Sequence, residues 1–127
     1  MNDHIWEVEP GLGDSAALAV RTTYGLRARS MRIDLSFKLD GQKVTHPQKF
    51  FSPPRLQHFY PNYLGFTFSP FQGVDAQVEY WVPSSQTLAS RLSFHNQGTS
   101  VLDLQLEVNG ALQHLDGQNL AQAQIQS

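Results

Sequence analysis

The sequence predicts an all-β fold, an antiparallel β-sandwich of about eight or more strands. Apolar and polar residues alternate along most of the chain, which is typical of strands that bury one face. Residues 31–39 (MRIDLSFKL), 74–82 (VDAQVEYWV) and 101–108 (VLDLQLEV) show this alternation most regularly. The turn-forming pairs Asp40-Gly41 and Asn109-Gly110 favour tight hairpins beside these segments. Short strands separated by such turns are the pattern of a sandwich or a barrel.

The predicted strands follow one another along the chain with short connections. Between the first two lies GLGDS (residues 11–15), which we interpret as a turn because no lysine or helix follows it to complete a phosphate-binding loop. Residues 118–127 (QNLAQAQIQS) are the one weak candidate for a helix and fit a strand or a frayed tail equally well. The predicted strands span residues 4–9, 16–24, 31–39, 42–46, 63–69, 74–82, 87–95 and 101–108.

Residues 50–70 (FFSPPRLQHFYPNYLGFTFSP) hold many of the aromatic side chains of the chain, spaced by prolines. The prolines predict a long crossover between the layers of the sandwich, held in place by burial of its own side chains. Phenylalanines have no polar group and are typical of a protein core. We therefore predict that Phe66 and Phe68 are buried.

A second set of aromatic residues forms the candidate functional site. Phe59, Tyr60 and Tyr63 are clustered in the same segment, and the alternation of residues 74–82 points Trp81 toward the polar face. Such rings stack on the apolar C–H face of a sugar. An outward aromatic patch serves equally well as a docking face for another domain. The sequence leaves both alternatives open for Trp81, Tyr60, Tyr63 and Phe59.

Length and composition limit the class of protein. The 127 residues, of which 40% are hydrophobic, suffice for one domain with a core, and we predict a single domain over residues 1–127. A formal charge of −2 gives no electrostatic reason to expect nucleic acid or a membrane surface as a partner. The absence of cysteine excludes disulfides and thiolate chemistry. With no signal peptide or membrane-spanning stretch in the sequence, we expect a cytoplasmic protein.

No motif predicts a metal, a cofactor or a catalytic centre. The five histidines are scattered without the spacing of a metal site. Three acids, Glu79, Asp103 and Glu107, would approach one another if their strands were neighbours, as a glycosidase requires. Each lies on the polar side of an alternating strand, where acids ordinarily face solvent. We therefore assign no catalytic residue, no metal ligand and no cofactor.

Residues 79–110 (EYWVPSSQTLASRLSFHNQGTSVLDLQLEVNG) resemble the N-terminal β-sandwich, or supersandwich, of glycoside hydrolases and phosphorylases that carry an (α/α)-barrel catalytic domain. This group includes glycogen-debranching-like and glucoamylase-like proteins. The features that carry the resemblance are a strand ending in an aromatic residue and Val-Pro, a strand closing at Asn96-Gln97-Gly98, and an alternating leucine strand.

The resemblance implies an accessory role in carbohydrate metabolism. In these families the sandwich packs against the helical barrel, which holds the catalytic acids, so the resemblance supplies no catalytic residue. It implies that the chain is the excised N-terminal part of a larger enzyme, inactive by itself, with the barrel of the same parent chain as its partner. The alternatives are a free-standing carbohydrate-binding module that uses the exposed aromatics, and a small enzyme with Glu79 and Glu107 facing a cleft.

Overall fold

The computed structural model describes residues 5–11, 17–24, 29–114 and 119–126, and these fold into two antiparallel β-sheets. The predicted all-β class is confirmed, and the sheets do not close into a barrel. Within the described ranges the only helical element is one 3-10 turn, Pro47–Lys49. The strands are β1 Ile5–Glu9, β2 Ala19–Tyr24, β3 Arg29–Leu39, β4 Gln42–Val44, β5 Ser52–Tyr60, β6 Tyr63–Phe71, β7 Val74–Ser84, β8 Thr87–Asn96, β9 Leu104–His114 and β10 Asn119–Gln126.

The chain builds the two sheets in three passes. Strands β1 to β4 and then β9 and β10 form sheet A, in the order β1-β2-β3-β9-β10, with β4 also paired to β3. Strands β5 to β8 form sheet B as a simple meander. The chain passes from sheet A to sheet B through the 3-10 turn and returns between β8 and β9. No helix in the described ranges has the length and apolar character needed to cross a membrane.

The hairpin between β3 and β4 forms at the predicted Asp40-Gly41 pair. Asp40 has φ of 50° and Gly41 has φ of 80°. Positive φ at both central residues defines the tight turn whose twist matches that of the paired strands. Asp tolerates this conformation better than most residues, and Gly adopts it without steric cost.

The core lies between the inner faces of the two sheets and is rich in phenylalanine. Phe37 of β3 is fully buried, and its ring lies 5.5 Å from that of Phe68 and 5.7 Å from that of Phe50, measured between centroids. The predicted burial of Phe66 and Phe68 is confirmed. Alternation buries these residues because inward side chains of sheet A, such as Phe37, meet inward side chains of sheet B, such as Phe68, which removes both from water.

The proline-rich segment differs from its prediction as a crossover, because residues 52–60 form strand β5. β5 is an edge strand of sheet B, where one side of the backbone makes no ladder bonds and prolines such as Pro53 and Pro54 are tolerated. Residues 119–126, left open between helix, strand and tail, form strand β10 against β9. The predicted turn at residues 12–15 lies outside the described residues. The hairpin predicted at Asn109-Gly110 is wrong, because β9 continues through both residues and pairs them with Asp34 and Ile33 of β3.

Candidate functional site on the outer face of sheet B

Three of the four predicted site residues form one row across three neighbouring strands. Tyr60 of β5 is the register partner of Tyr63 of β6, which in turn is the partner of Trp81 of β7. Directly paired residues of an antiparallel sheet place their side chains on the same face. Tyr60 is 61% exposed and Trp81 is 36% exposed. We call Tyr60, Tyr63 and Trp81 the aromatic row.

Phe59, the fourth predicted residue, is separated from the aromatic row. Its register partner is Leu64, which packs against the buried core. Phe59 therefore belongs to the inner side of sheet B, at the edge strand, where it is 73% exposed. Tyr60 and Phe59 are consecutive in a strand and face opposite ways, so Phe59 is not part of the aromatic row. All three residues Phe59, Tyr60 and Tyr63 line a cavity of about 220 Å³ at this edge, and the role of Phe59 in binding or docking stays a prediction.

The ion pair between Glu79 and Arg91 lies next to the aromatic row and holds the Tyr63 ring in place. The Tyr63 hydroxyl donates to Glu79 Oε1 over 2.6 Å, and Arg91 Nε donates to Glu79 Oε2 over 2.7 Å. These two bonds hold the pKa of Glu79 below its ordinary value, and the bond from Arg91 has the larger effect. The bond to Glu79 raises the pKa of Tyr63. Both oxygens of Glu79 are engaged, so the carboxylate fixes the tyrosine ring.

A gap separates the aromatic row from the next residues along the sheet. Gly65 lies opposite both His58 and Glu79, and it has no side chain to fill this face. A Cβ atom placed on Gly65 would lie 3.4 Å from His58 Cδ2 and 3.6 Å from Tyr63 Cε1. The His58 and Tyr63 ring centroids are 6.4 Å apart. The glycine thus leaves a notch bordered by two rings and a carboxylate.

An irregularity in β5 brings its polar residues to this face. Leu56 pairs with Phe66 and His58 pairs with Gly65, so Gln57 is an extra residue without a partner in the ladder. Such a β-bulge re-aims the side chains on one side of it. Arg55 and Tyr60, which strict alternation would place on opposite faces, consequently share the outer face.

Beyond the notch, the outer face forms a depression of about 510 Å³. Its size lies in the range of small-molecule sites. Hydroxyl, amide, guanidinium, carboxylate and imidazole groups surround it, supplied by all four strands of sheet B. The charged and polar residues that line it include Arg55, Gln57, Thr67, Asp75, Gln77 and His95.

Asp75, the acidic residue of the depression, accepts hydrogen bonds at both carboxylate oxygens, as Glu79 does. Ser69 Oγ donates to Asp75 Oδ1 over 2.8 Å, and Gln97 Nε2 donates to Asp75 Oδ2. The backbone around Gln97 is held in turn, because its N–H donates to Gly73 O over 2.9 Å. The carboxylate of Asp75 therefore orders the end of the depression.

The three acids considered from the sequence are not brought together. Glu79 lies on the outer face of sheet B, whereas Glu107 belongs to β9 of sheet A and contacts Lys43 Nζ. Glu107 is buried, contrary to the expectation that it faces solvent. Asp103 precedes β9 and is exposed. In the part of the chain that the structure describes, no three His, Asp or Glu residues are grouped as metal ligands.

An apolar cleft opens between the sheets on the side of β8 and β9. It has a volume of about 360 Å³. Phe94 belongs to the inner row of β8, yet it is 39% exposed. The side chains lining the cleft include Trp6, Leu18, Ile33, Leu92, Leu106 and Val108. Inward-facing aliphatic residues are thus incompletely covered at this edge of the sandwich.

Comparison of the chain with protein-family models, curated proteins and solved structures gave no significant match. The class is therefore defined by the structure alone: an all-β sandwich with an aromatic and hydrogen-bonding outer face on sheet B. The polar positions of β7 are visible in its alternation. Nothing in the sequence marks Gln57 as a bulge, and so the contribution of Arg55 to this face was missed.

Proposed function

We propose that this chain is a non-catalytic β-sandwich domain of a carbohydrate-active enzyme, and that the outer face of sheet B binds the carbohydrate. The observation that carries the proposal is the aromatic row beside a polar depression. Sugars present apolar C–H faces and a rim of hydroxyl groups, so a binding surface needs rings for stacking and planar polar groups for hydrogen bonds.

The geometry supplies both requirements along one direction of the sheet. On β7, Trp81, Glu79, Gln77 and Asp75 follow one another at every second position of the outer face. At about 3.4 Å per residue, Trp81 and Asp75 are roughly 20 Å apart along the strand. This length suits a short oligosaccharide rather than a single sugar.

The fixed carboxylates favour binding over bond cleavage. A glycosidase needs one carboxyl group to give a proton and a second to attack or activate water. Glu79 and Asp75 each have both oxygens occupied by internal donors, as described above. The low pKa of Glu79 also keeps it ionised and unsuited to act as an acid.

The test is calorimetric titration of the protein with a panel of soluble plant and bacterial polysaccharides. Replacement of Trp81 or Tyr60 by Ala is expected to lower the affinity for a bound glycan about tenfold, which corresponds to loss of about 1.4 kcal/mol of stacking. Phe59→Ala is the matched control, because Phe59 is an exposed ring on the same strand but the opposite face. Binding that is lost equally in Phe59→Ala and Trp81→Ala, or no binding to any glycan, would contradict the proposal.

A second candidate function, docking against an (α/α)-barrel catalytic domain, is favoured by the apolar cleft. Half-covered aliphatic side chains such as Leu92 and Leu106 are typical of a surface that another domain completes. The test is to express the chain together with the product of the reading frame that follows Ser127 in the gene. We expect a helical barrel to co-purify with the chain and Leu92→Ser, at the cleft, to weaken that association. A downstream frame without such a domain would contradict it.

A further inference from the structure

The depression on the outer face of sheet B contains one cation with no partner among the described residues. Arg55 is exposed, lines the depression, and makes no hydrogen bond or ion pair with the described part of the chain. Arg91, the other arginine of this face, is bound to Glu79. On the outer face of sheet A, Arg21 contacts Glu9, and Arg32 contacts Asp34 and Glu9.

The nearby carboxylates of Asp75 and Glu79 make no contact with Arg55. Both oxygens of Asp75 and both oxygens of Glu79 accept hydrogen bonds from other side chains. A guanidinium group presents a planar set of donors that matches the two oxygens of a carboxylate. The guanidinium donors of Arg55 are therefore available to a carboxylate supplied by a ligand.

We infer that the ligand is an acidic oligosaccharide, a chain of sugars that carry carboxylate groups, and that Arg55 binds one of those carboxylates. This inference rests on the proposed carbohydrate-binding function and specifies its substrate class. Arg55 and Tyr60 are five positions apart on β5 with one bulged residue between them, so they lie roughly 15 Å apart along the strand. One sugar does not span that distance, and the stacked sugar and the acidic sugar are different units of the chain.

The remaining groups of the depression fit the hydroxyls of such a chain. Gln57 and Gln77 each offer an amide donor and acceptor, and Thr67 offers a hydroxyl that donates and accepts. His95 adds an imidazole at the far end. Neutral hydrogen-bonding groups lie around Arg55, while the carboxylate of Asp75 is held by Ser69 and Gln97. This arrangement suits a polyhydroxylated molecule whose anionic group lies at Arg55.

The experiment compares glycans that differ only in charge. Oligogalacturonate is paired with its methyl ester, and alginate with its propylene glycol ester, so that each pair keeps its sugar and linkage. Calorimetric titration at low and moderate salt is expected to show at least tenfold tighter binding of the acid form of one pair. Salt should weaken that binding and leave the ester unaffected, because only the acid form gains from a partly exposed charge pair.

Variants assign the effect to the residue. Arg55→Gln is expected to lower the affinity for the acid form about tenfold and to leave the affinity for the ester unchanged, with Arg55→Lys in between. Lys38→Gln, a cation removed from the outer face of sheet A, is the matched control and should change neither affinity. Trp81→Ala should weaken the acid and the ester alike.

Each contrary outcome has a separate meaning. Equal binding of acid and ester with no effect of Arg55→Gln overturns this inference and leaves the carbohydrate-binding function intact. Tighter binding of a sulfated galactan than of either uronate overturns the carboxylate assignment. Absence of binding to every acidic and neutral glycan overturns the proposed function together with the inference.

Discussion

Tyr63 and Glu79 are joined by a 2.6 Å hydrogen bond that runs diagonally between β6 and β7, because neither residue is the register partner of the other. Tyr63 is paired with Trp81, and Glu79 is paired with Gly65. Since Gly65 has no side chain, the space above it is available to the phenol and the carboxylate. A glycine in the middle of a strand weakens the sheet locally, and here it permits a contact that fixes an aromatic side chain.

The Tyr63–Glu79 bond predicts a measurable change in the titration of Tyr63. The bond raises the pKa of Tyr63, so its hydroxyl stays protonated above the ordinary range of tyrosine. The stability gained from this bond is present below the ordinary tyrosine pKa and is lost as pH rises through the raised value. In Glu79→Gln the carboxylate is absent, and we expect one phenol to ionise at lower pH in an ultraviolet absorbance titration.

Two controls belong to that titration. Asp103→Asn removes an exposed carboxylate outside the site and should leave every phenol unchanged. Tyr80, whose pKa is raised by burial, should ionise only at high pH in all variants. A Glu79→Gln protein with the wild-type titration curve would show that the bond to Tyr63 does not form in solution.

The Asp40-Gly41 turn predicts a specific order of stability among substitutions at Gly41. No atom outside the neighbouring residues lies within 4 Å of a Cβ atom placed on Gly41, so the effect comes from the backbone alone. With φ of 80°, Gly41→Ala is expected to lower the free energy of unfolding by about 1–2 kcal/mol. Gly41→Asn should lose less, since Asn tolerates this conformation. Urea denaturation of the two variants gives the comparison, and equal losses would contradict the assigned turn.

The ring cluster around Phe37 predicts where the fold is most sensitive. Phe37 contacts the rings of Phe50, Phe68 and Phe94 at centroid distances of 5.5–5.9 Å. Phe37→Ala is expected to lower the free energy of unfolding by about 3–5 kcal/mol, and Phe37→Leu by less. Phe59→Ala, at an exposed ring, should change it by no more than about 0.5 kcal/mol. Similar urea midpoints for Phe37→Leu and Phe59→Ala would place the core elsewhere.

Regular alternation made much of the fold predictable. The polar side of residues 74–82 was expected to face outward, and it supplies Glu79 and Trp81 to the outer face of sheet B. Trp81 and Tyr63, distant in sequence, meet because β6 and β7 form a hairpin, which the sequence indicates only through the turn between them. Where the pairing of the strands is regular, the alternation of apolar and polar residues predicted which face of the sheet each side chain lies on.

Prediction failed where the ladder is irregular. Prolines in residues 52–60 suggested a crossover, since the pattern does not tell an edge strand from a loop. The bulge at Gln57 has no signature in local composition, because it depends on which residues of β6 lie opposite. The placement of Arg55 and Tyr60 on the same face depends on that one extra residue.

The bulge itself predicts the result of deleting Gln57. The residues on either side of it, Leu56 and His58, already pair with adjacent residues of β6, so removal of Gln57 joins two segments that are in register. We expect the deletion variant to fold with a free energy of unfolding close to that of the wild type. Arg55 and Tyr60 should keep their outward orientation, with the depression losing one amide and becoming flatter.

Deletion of Leu56 is the matched control for this variant. It removes one residue from the same segment, but it leaves Gln57 to occupy the position opposite Phe66 in place of Leu56, which is 53% exposed. The free energy of unfolding should fall because the apolar contact made by the covered part of the leucine is lost. Urea denaturation compares the two deletions, and hydrogen exchange of the β6 amides reports whether the ladder with β5 is retained. If deletion of Gln57 destabilises the protein as much as deletion of Leu56, the register of β5 is not the one described and the outward placement of Arg55 fails with it.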